Sequence, residues 1–368
     1  MSIRTRYSLR YLLPVNKTLI VRGPARLNLI GGQATILGAS LNNSTNMVIQ
    51  REKQLPIESE VEAEIEITLG RTGAMMEMEG SSLPESWKNV VNSLANMSKG
   101  TAMIIGPSDV GKSTLCTYLM NALINRRRNV RVLDADIGQA DIGPPTTITS
   151  STPTIPTATL ANLEPERMFF VGHNTPSFVQ PQVLHGIKRM LSADCAGVTI
   201  INTDGWVNDS AAILYKNRLI SAINPDILVG IGPRNSLNPI LHTTKSFPIV
   251  VDSSRAILPR TRSGRKEIRR SGYQRFLRDS ASHTIKLDNI RLQLRKSITR
   301  AMIKGNLDLN NVLLGFLNDK GFMDQIGILE TMTHRCLTVY SRLIHQPITL
   351  EFGYVKLARD GSELGFLG

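Results

Sequence analysis

Residues 101–114 read TAMIIGPSDVGKST, and the rest of the chain is organised around them. Residues 101–105 are mostly apolar and suit a buried strand. Gly106-Pro107-Ser108-Asp109-Val110-Gly111-Lys112-Ser113 then fits G-x-x-x-x-G-K-[ST], with Thr114 directly after it. Leu115, Tyr118, Leu119, Ala122 and Leu123 follow at helical spacing. Strand, glycine loop and helix is the context in which this pattern cradles phosphate. Gly106 and Gly111 permit torsions that other residues resist, so the loop turns its N–H groups inward at the end of a helix. Lys112 supplies a point charge for the outer phosphates and Ser113 a hydroxyl for magnesium. A glycine-rich turn before an ordinary helix is the plain alternative. With average glycine usage, a chance match in a chain this long is on the order of one in a hundred.

The chain has 368 residues, more than one compact core usually serves. A hydrophobic content of 41% and a charged content of 20% are those of a globular protein and exclude a disordered one. The three cysteines are far apart and odd in number, without metal spacing, which predicts thiols in a reducing compartment and a cytoplasmic location. The first residues, MSIRTRYSLRYLLPVNK, lack the apolar core of a secretory signal. No apolar run reaches the length of about 18 residues needed to span a membrane. A net charge of +13 favours a polyanionic partner, although a generally basic proteome would give the same charge.

Outward from the glycine loop, residues 1–85 carry short strand-like runs (residues 18–21, 27–30, 34–37 and 47–49) punctuated by Gly23-Pro24, Gly31-Gly32, Gly38 and Asn42-Asn43. Residues 60–69 alternate acidic and apolar, as a strand with one wet face does. A small antiparallel sandwich or barrel is expected there. Residues 86–97 read as a helix through Trp87, Val90, Val91 and Leu94. From 101 to about 254, strands at 102–105, 130–133, 168–171, 198–201, 227–231 and 249–251 alternate with helices at 114–125, 180–191 and 209–223. Most of these strands lack polar alternation, so the expected fold is α/β: an open, mostly parallel sheet with helices on both faces. Arg126, Arg127 and Arg128 close the first helix as favourable charge at its C-terminus. Residues 281–368 return to short strands and predict a second small β-rich domain. The expected division is 1–85, 86–280 and 281–368.

Three further stations follow strands. Asp134 and Asp136, in Leu133-Asp134-Ala135-Asp136-Ile137-Gly138-Gln139, face one side of their strand and are expected beside the phosphate loop, to hold magnesium or its water. A solvated pair capping the next turn is the alternative. Asn202-Thr203-Asp204-Gly205-Trp206 ends a later strand on the ligand edge. Trp206 is either a flat platform for a base or a hydrophobic plug. His173, in Gly172-His173-Asn174, carries no assigned acid–base role. Residues 255–278 (RAILPRTRSGRKEIRRSGYQRFLR) hold a dense run of arginines, read either as a solvated helix face or as a lid over a transferring phosphoryl group.

Together, GPSDVGKST, DADIGQ, PPTTI at residues 144–148, FVGHNTP and NTDGW resemble the polynucleotide 5′-hydroxyl kinases. That family includes the kinase subunit of the pre-mRNA cleavage machinery, nucleolar rRNA-processing kinases and archaeal relatives. The order and spacing match over about 100–260, and no single motif carries the resemblance. It implies a P-loop kinase domain between small β domains, with ATP or GTP bound at 106–114 and magnesium at Ser113 and Asp136. Asp136 matches the family's second-strand aspartate, whereas the first position of the D-x-D varies among relatives. Gln139 and the clasp residues Thr203, Gly205 and Trp206 fall on the substrate side. Arg260, Arg262, Arg265 and Arg269 fall in the arginine-bearing lid, with Arg262 and Arg265 at the transferring group and Arg260 and Arg269 on the substrate. The implied partner is a nucleic acid, the 5′-OH end of RNA or DNA, and protein partners in RNA processing are compatible with it. An NTP-binding scaffold without transfer, and a P-loop NTPase that couples hydrolysis to motion, are the rival readings.

Overall fold

A computed structural model describes residues 7–42, 46–192, 195–242, 247–257, 259–294, 308–344 and 347–367. Residues 1–6, Asn43, Leu258 and 295–307, which fall in stretches read above, lie outside these. The chain gathers into two compact units: Met1–Val132 with Thr152–Leu163 and Cys195–Arg265, and Leu133–Ser151 with Glu164–Asp194 and Lys266–Gly368.

The first unit begins with two antiparallel sheets. One orders Tyr7–Leu13, Ala63–Leu69, Ala25–Gly31 and Met47–Ile49. The other orders Ala39–Leu41, Ala34–Ile36, Gln54–Glu58, Lys17–Arg22 and Ala74–Glu79. Period-two patterning drives the arrangement. Ala63, Ile65 and Ile67 are buried while Glu64 and Glu66 face outward. Their inward residues share one core with Leu19, Val21, Leu27, Ile36 and Ile57, so the expected sandwich forms. Truncating Ile65 to alanine in such a core costs about 2–5 kcal/mol.

The same unit holds a parallel sheet. Its elements are β1 (Gly100–Ile105), α1 (Lys112–Asn125), the start of β2 (Val130–Ala135), β3 (Val198–Thr203), α2 (Ser210–Ile223), β4 (Ile227–Ile231) and β5 (Phe247–Val251). The order is β5-β4-β1-β3-β2. β1 pairs in parallel with β3, Met103 opposite Ile201, and with β4, Met103 opposite Leu228. β4 pairs in parallel with β5. β1 and β3 are almost free of exposed residues, which explains their continuous apolar runs. The neighbours of the phosphate-loop strand are β3 and β4, and β2 follows β3 in the order. The chain re-enters the sheet as β3 between the first two strands, so the turn that contains Trp206 takes the place next to the loop.

Helix α1 is also fixed to the amino-terminal sheets. Asn121, fully buried, donates from Nδ2 to the Leu37 carbonyl (2.9 Å) and the Thr157 carbonyl (2.8 Å), and accepts from the Thr157 N–H (3.0 Å). Asn125 donates to the Gly38 carbonyl at 2.9 Å. Trp87, on the helix Glu85–Ala95, is fully buried and donates its indole N–H to the Asp252 carbonyl at 2.8 Å.

The second unit pairs Thr147–Ser151 with Arg167–Phe170 in antiparallel fashion, and the latter with Met323–Met332. Val312–Leu317, Thr349–Leu357, Cys336–Ser341 and Ala281–Lys286 extend this sheet, mostly antiparallel. Phe170, Leu313, Ile326, Ile328 and Val355 pack in one core with Tyr273 and Leu277. The helix α3 (Arg262–Leu277) contains the last two. The basic segment is therefore helical along most of its length, with Ile268, Tyr273 and Leu277 buried. Among the described residues, no helix is long and apolar enough to cross a membrane.

Candidate functional site

The phosphate loop connects β1 to α1. A Cβ at Gly106 would sit 2.2 Å from the Ile231 carbonyl oxygen, so only glycine lets the loop leave β1 against β4. Gly111 has φ +99° and Asp109 φ +60°, left-handed torsions that turn successive N–H groups to one side. Gly111 is the N-cap of α1 and has no side chain to accept from the first turn. The positive end of the helix is left for an anion. Lys112 is 6% exposed, and its ammonium donates to the Pro107 carbonyl at 2.7 Å, within the same loop. Asn202 Nδ2 donates to Ser113 Oγ at 3.4 Å. This cradle of inward N–H groups, a sheltered ammonium and a first-turn hydroxyl fits a nucleoside triphosphate. Ser113 supplies a hard oxygen of the kind magnesium takes.

The residues at 260–265 meet the loop through Asp109. Its carboxylate accepts from the Arg265 guanidinium at 2.7 Å and from the Arg260 backbone N–H at 3.2 Å, with the Arg260 guanidinium at 3.7 Å. A Cβ at Gly111 would come within 2.1 Å of the Ile257 side chain, so an apolar side chain of this segment also lies against the loop. Arg262 is exposed on the first turn of α3.

Directly after β3, Gly205 approaches the loop from the other side. A Cβ there would be 2.4 Å from Ser108 Oγ and 2.6 Å from the Ser108 N–H nitrogen. Glycine is required because two backbones touch. Trp206, partly exposed, is held in place twice: its indole N–H donates to Asp209 Oδ2 at 2.7 Å and its ring stacks on Tyr215 at 5.6 Å. Asp209 is the N-cap of α2 and also accepts from the Ala212 N–H at 2.8 Å. That backbone bond first, and the indole second, hold its carboxyl below the usual carboxylate range. The Thr203 hydroxyl donates to the Ile104 carbonyl on β1 at 2.8 Å. Beneath the turn is a buried ion pair that sequence reasoning missed. Lys216 Nζ is 3.0 Å from Asp204 Oδ2 and 2.8 Å from the Asp204 carbonyl. Asp204 also accepts from the Tyr215 hydroxyl and the Trp206 N–H, each at 3.0 Å. The pair is twelve residues apart across a turn, and no local spacing marks it.

In the second unit, Asp134 at the end of β2 and Asp136 just after it have different surroundings. Asp134 is fully buried and accepts from the N–H groups of Asp141 (2.7 Å), Ile142 (3.2 Å) and Asp136 (3.4 Å). It organises the loop that follows, so it caps the turn from within and not as a solvated group. Asp136 is part-exposed, and one of its oxygens accepts from Gly138 (3.2 Å) and Gln139 (3.0 Å). Gln139 donates to the Gly138 carbonyl at 2.7 Å. Arg275, also unmarked in the sequence, supports this loop by donating to the carbonyls of Asp141 and Ile142. Arg269 forms a two-pronged pair with Glu363 at 2.6 and 2.7 Å, which gives it an intramolecular carboxylate partner. His173 stacks on Phe366 at 4.8 Å and accepts from the Thr175 N–H at 2.9 Å.

Three comparisons with known proteins bear on this geometry. The profile of the family described as mRNA cleavage and polyadenylation factor CLP1 P-loop matches residues 106–279. A polyribonucleotide 5′-hydroxyl-kinase of Thermococcus kodakarensis is 30% identical over 340 residues, covering 77% of this chain and 96% of that relative. One from Pyrococcus horikoshii is 27% identical over 339 residues, covering 77% of this chain and 94% of the relative. The fold matches a chain from the structure of the wild-type Clp1p–Pcf11p complex at a TM-score of 0.71 and 13% identity, over 96% of this chain and 99% of that one.

Proposed function

This chain belongs to the polyribonucleotide 5′-hydroxyl-kinase family, and from that premise we propose that it transfers the γ-phosphoryl group of ATP to the 5′-hydroxyl of an RNA end. The observation that carries the reading is the contact of Gly205 with Ser108. It brings the turn that carries Trp206 to the phosphate loop, and we read that ring as an aromatic station for the acceptor. A transferase needs a place for an acceptor there, whereas an NTPase that only hydrolyses does not.

In the transfer, the 5′-oxygen forms a bond to the γ-phosphorus while the bond to the β–γ bridging oxygen breaks. Such reactions pass through a loose transition state, so positioning and charge count for more than a strong base. The backbone of residues 106–111 and the Lys112 ammonium take the donor phosphates. Asp136 orients the acceptor hydroxyl and takes its proton, directly or through a water. Arg262 and Arg265 meet the developing charge, and Trp206 stacks on the terminal base. Gln139, Arg260 and Arg269 serve the acceptor strand. The Thr203 hydroxyl, bonded to β1, fixes the clasp in register with the phosphate loop. Magnesium, when bound, neutralises the triphosphate, and Ser113 and Asp136 are the residues proposed to hold it.

DNA ends and GTP are alternative substrates of the same chemistry. The name of the archaeal relatives favours RNA. The division into 1–85, 86–280 and 281–368 is proposed as the functional one. A cytoplasmic location is proposed together with this activity. The test is a transfer assay with a γ-labelled triphosphate and a 5′-hydroxyl oligonucleotide. Label on the oligonucleotide, lost in Lys112→Ala with the fold intact, is expected. Label released only as free phosphate, or retained on the nucleotide, overturns the reading.

A further inference from the structure

Asp109 is an unexpected residue in a loop built for a triphosphate. A carboxylate within a few ångströms of bound phosphates repels them, and low-dielectric surroundings strengthen the repulsion. Its side chain is 10% exposed, so water screens it little. The left-handed φ of +60° turns this residue toward the segment that follows β5. There it gathers the Arg265 guanidinium (2.7 Å), the Arg260 N–H (3.2 Å) and the Arg260 guanidinium (3.7 Å). One negative and two positive charges leave the cluster at +1, so an arriving triphosphate meets net attraction.

We propose that Asp109 is a positioning residue that anchors Arg260 and Arg265 on the phosphate loop, so that their guanidinium groups are already in place when the triphosphate binds. This rests on the kinase reading above. Arginines at the end of long side chains lose much conformational freedom when they are held, and a group pre-set by a protein carboxylate loses less of it in the reaction. The anchor acts through the arginines and does not itself touch the reacting atoms. Gly111 against Ile257 contributes the second, apolar half of the same docking.

The experiment combines kinetics with proteolysis. Asp109→Ala and Asp109→Asn are measured at saturating oligonucleotide, separating kcat from the KM for ATP. A misplaced catalytic group costs on the order of 100-fold, so a loss of about 10–100-fold in kcat with KM changed less than about threefold is expected. In an Arg265→Ala background, Asp109→Ala should cost little more, because its main partner is already gone. Independent losses that multiply in the double variant would overturn the proposal, as would a wild-type kcat in Asp109→Ala. Limited trypsin digestion reads the anchor without reference to activity. Cleavage after Arg260 and Arg265 should be slow in the wild type and at least several-fold faster in Asp109→Asn, and equal rates would overturn the anchor. If the wild type transfers no phosphate yet digestion shows this difference, the kinase reading fails and the anchor stands.

Discussion

Replacing Lys216 by methionine tests whether the buried ion pair under Trp206 holds the clasp together. Lys216 is fully buried and Asp204 is 3% exposed. Methionine keeps the apolar stem but removes three contacts of the ammonium: Asp204 Oδ2 at 3.0 Å, the Asp204 carbonyl at 2.8 Å and the Thr203 hydroxyl at 3.3 Å. The Asp204 carboxylate remains behind, and among the described residues the Tyr215 hydroxyl and the Trp206 N–H are left to answer a full charge. Leaving one partner of a buried pair uncompensated costs about 3–5 kcal/mol. With a urea m-value of about 3 kcal/mol/M, the unfolding midpoint should fall by roughly 1–1.7 M. Trp87 and Trp206 are the only tryptophans and both lie in the first unit, so indole fluorescence reports that unit alone. This avoids assuming that the two units unfold together. Asp204→Asn keeps an acceptor for Tyr215 and Trp206, so Lys216→Met combined with Asp204→Asn should be more stable than Lys216→Met alone. A midpoint shift below about 0.3 M in Lys216→Met, or a double variant as weak as the sum of the singles, would show that the pair is not the support described.

Asp134 and Asp136 should separate function from stability. Asp136→Asn should lose more activity than Asp134→Asn, while Asp134→Ala should lower the melting temperature more, since it leaves three loop N–H groups without their acceptor; the reverse order in both assays refutes the assignment. Trp206→Ala should weaken oligonucleotide use about five- to a hundred-fold at nearly unchanged ATP affinity, with Trp206→Phe recovering part. A joint loss of stability and both affinities would make Trp206 a core plug. Oligonucleotide affinity should fall with salt, with a log–log slope of about −0.7 for each phosphate neutralised, and a flat response would leave the +13 charge without a role in binding. Burial pushes the Tyr273 phenol well above its ordinary value, and the Glu363 charge adds to that. Its contribution to stability is complete below about pH 10 and is lost as pH climbs above it, because only the unfolded phenol ionises there. Urea midpoints from pH 8 to 11 should therefore decline less steeply in Tyr273→Phe, and equal slopes would contradict this.

The phosphate loop was legible because its requirements are local: a strand, two glycines and a helix in one run of fourteen residues. β1, α1, β3, α2 and β4 were equally plain, since strands covered on both faces and a helix with Leu115, Leu119 and Leu123 inward leave continuous or periodic apolar patterns. Thr147–Ser151 was not foreseen. Its sequence, TITSS, is polar and follows two prolines, yet every residue is buried, because pairing with Arg167–Phe170 satisfies the backbone. Arg234–Leu241 was hidden by Pro239 within the helix. The basic segment read equally well as a solvated face or a lid because charge dominates it. The helix is set by a few apolar residues, Ile268, Tyr273 and Leu277, and the last two pack with partners far along the chain, such as Phe170 and Ile326. The order of strands is likewise non-local, so the place of β3 between β1 and β2 leaves no mark in the sequence.

Asn121 sits three turns along the helix that begins at the phosphate loop, and its amide joins that helix to Leu37 and Thr157. The amino-terminal sheets are thereby tied to the helix that follows the phosphate loop. A change of strand type near residue 85 marks where the chain switches architecture, not where the protein can be cut. Grafting the kinase core elsewhere, or trimming its first 85 residues, would open the interior at Asn121 and strip the covering from the back of α1. In this protein, a boundary along the sequence is bridged in the fold by one buried amide.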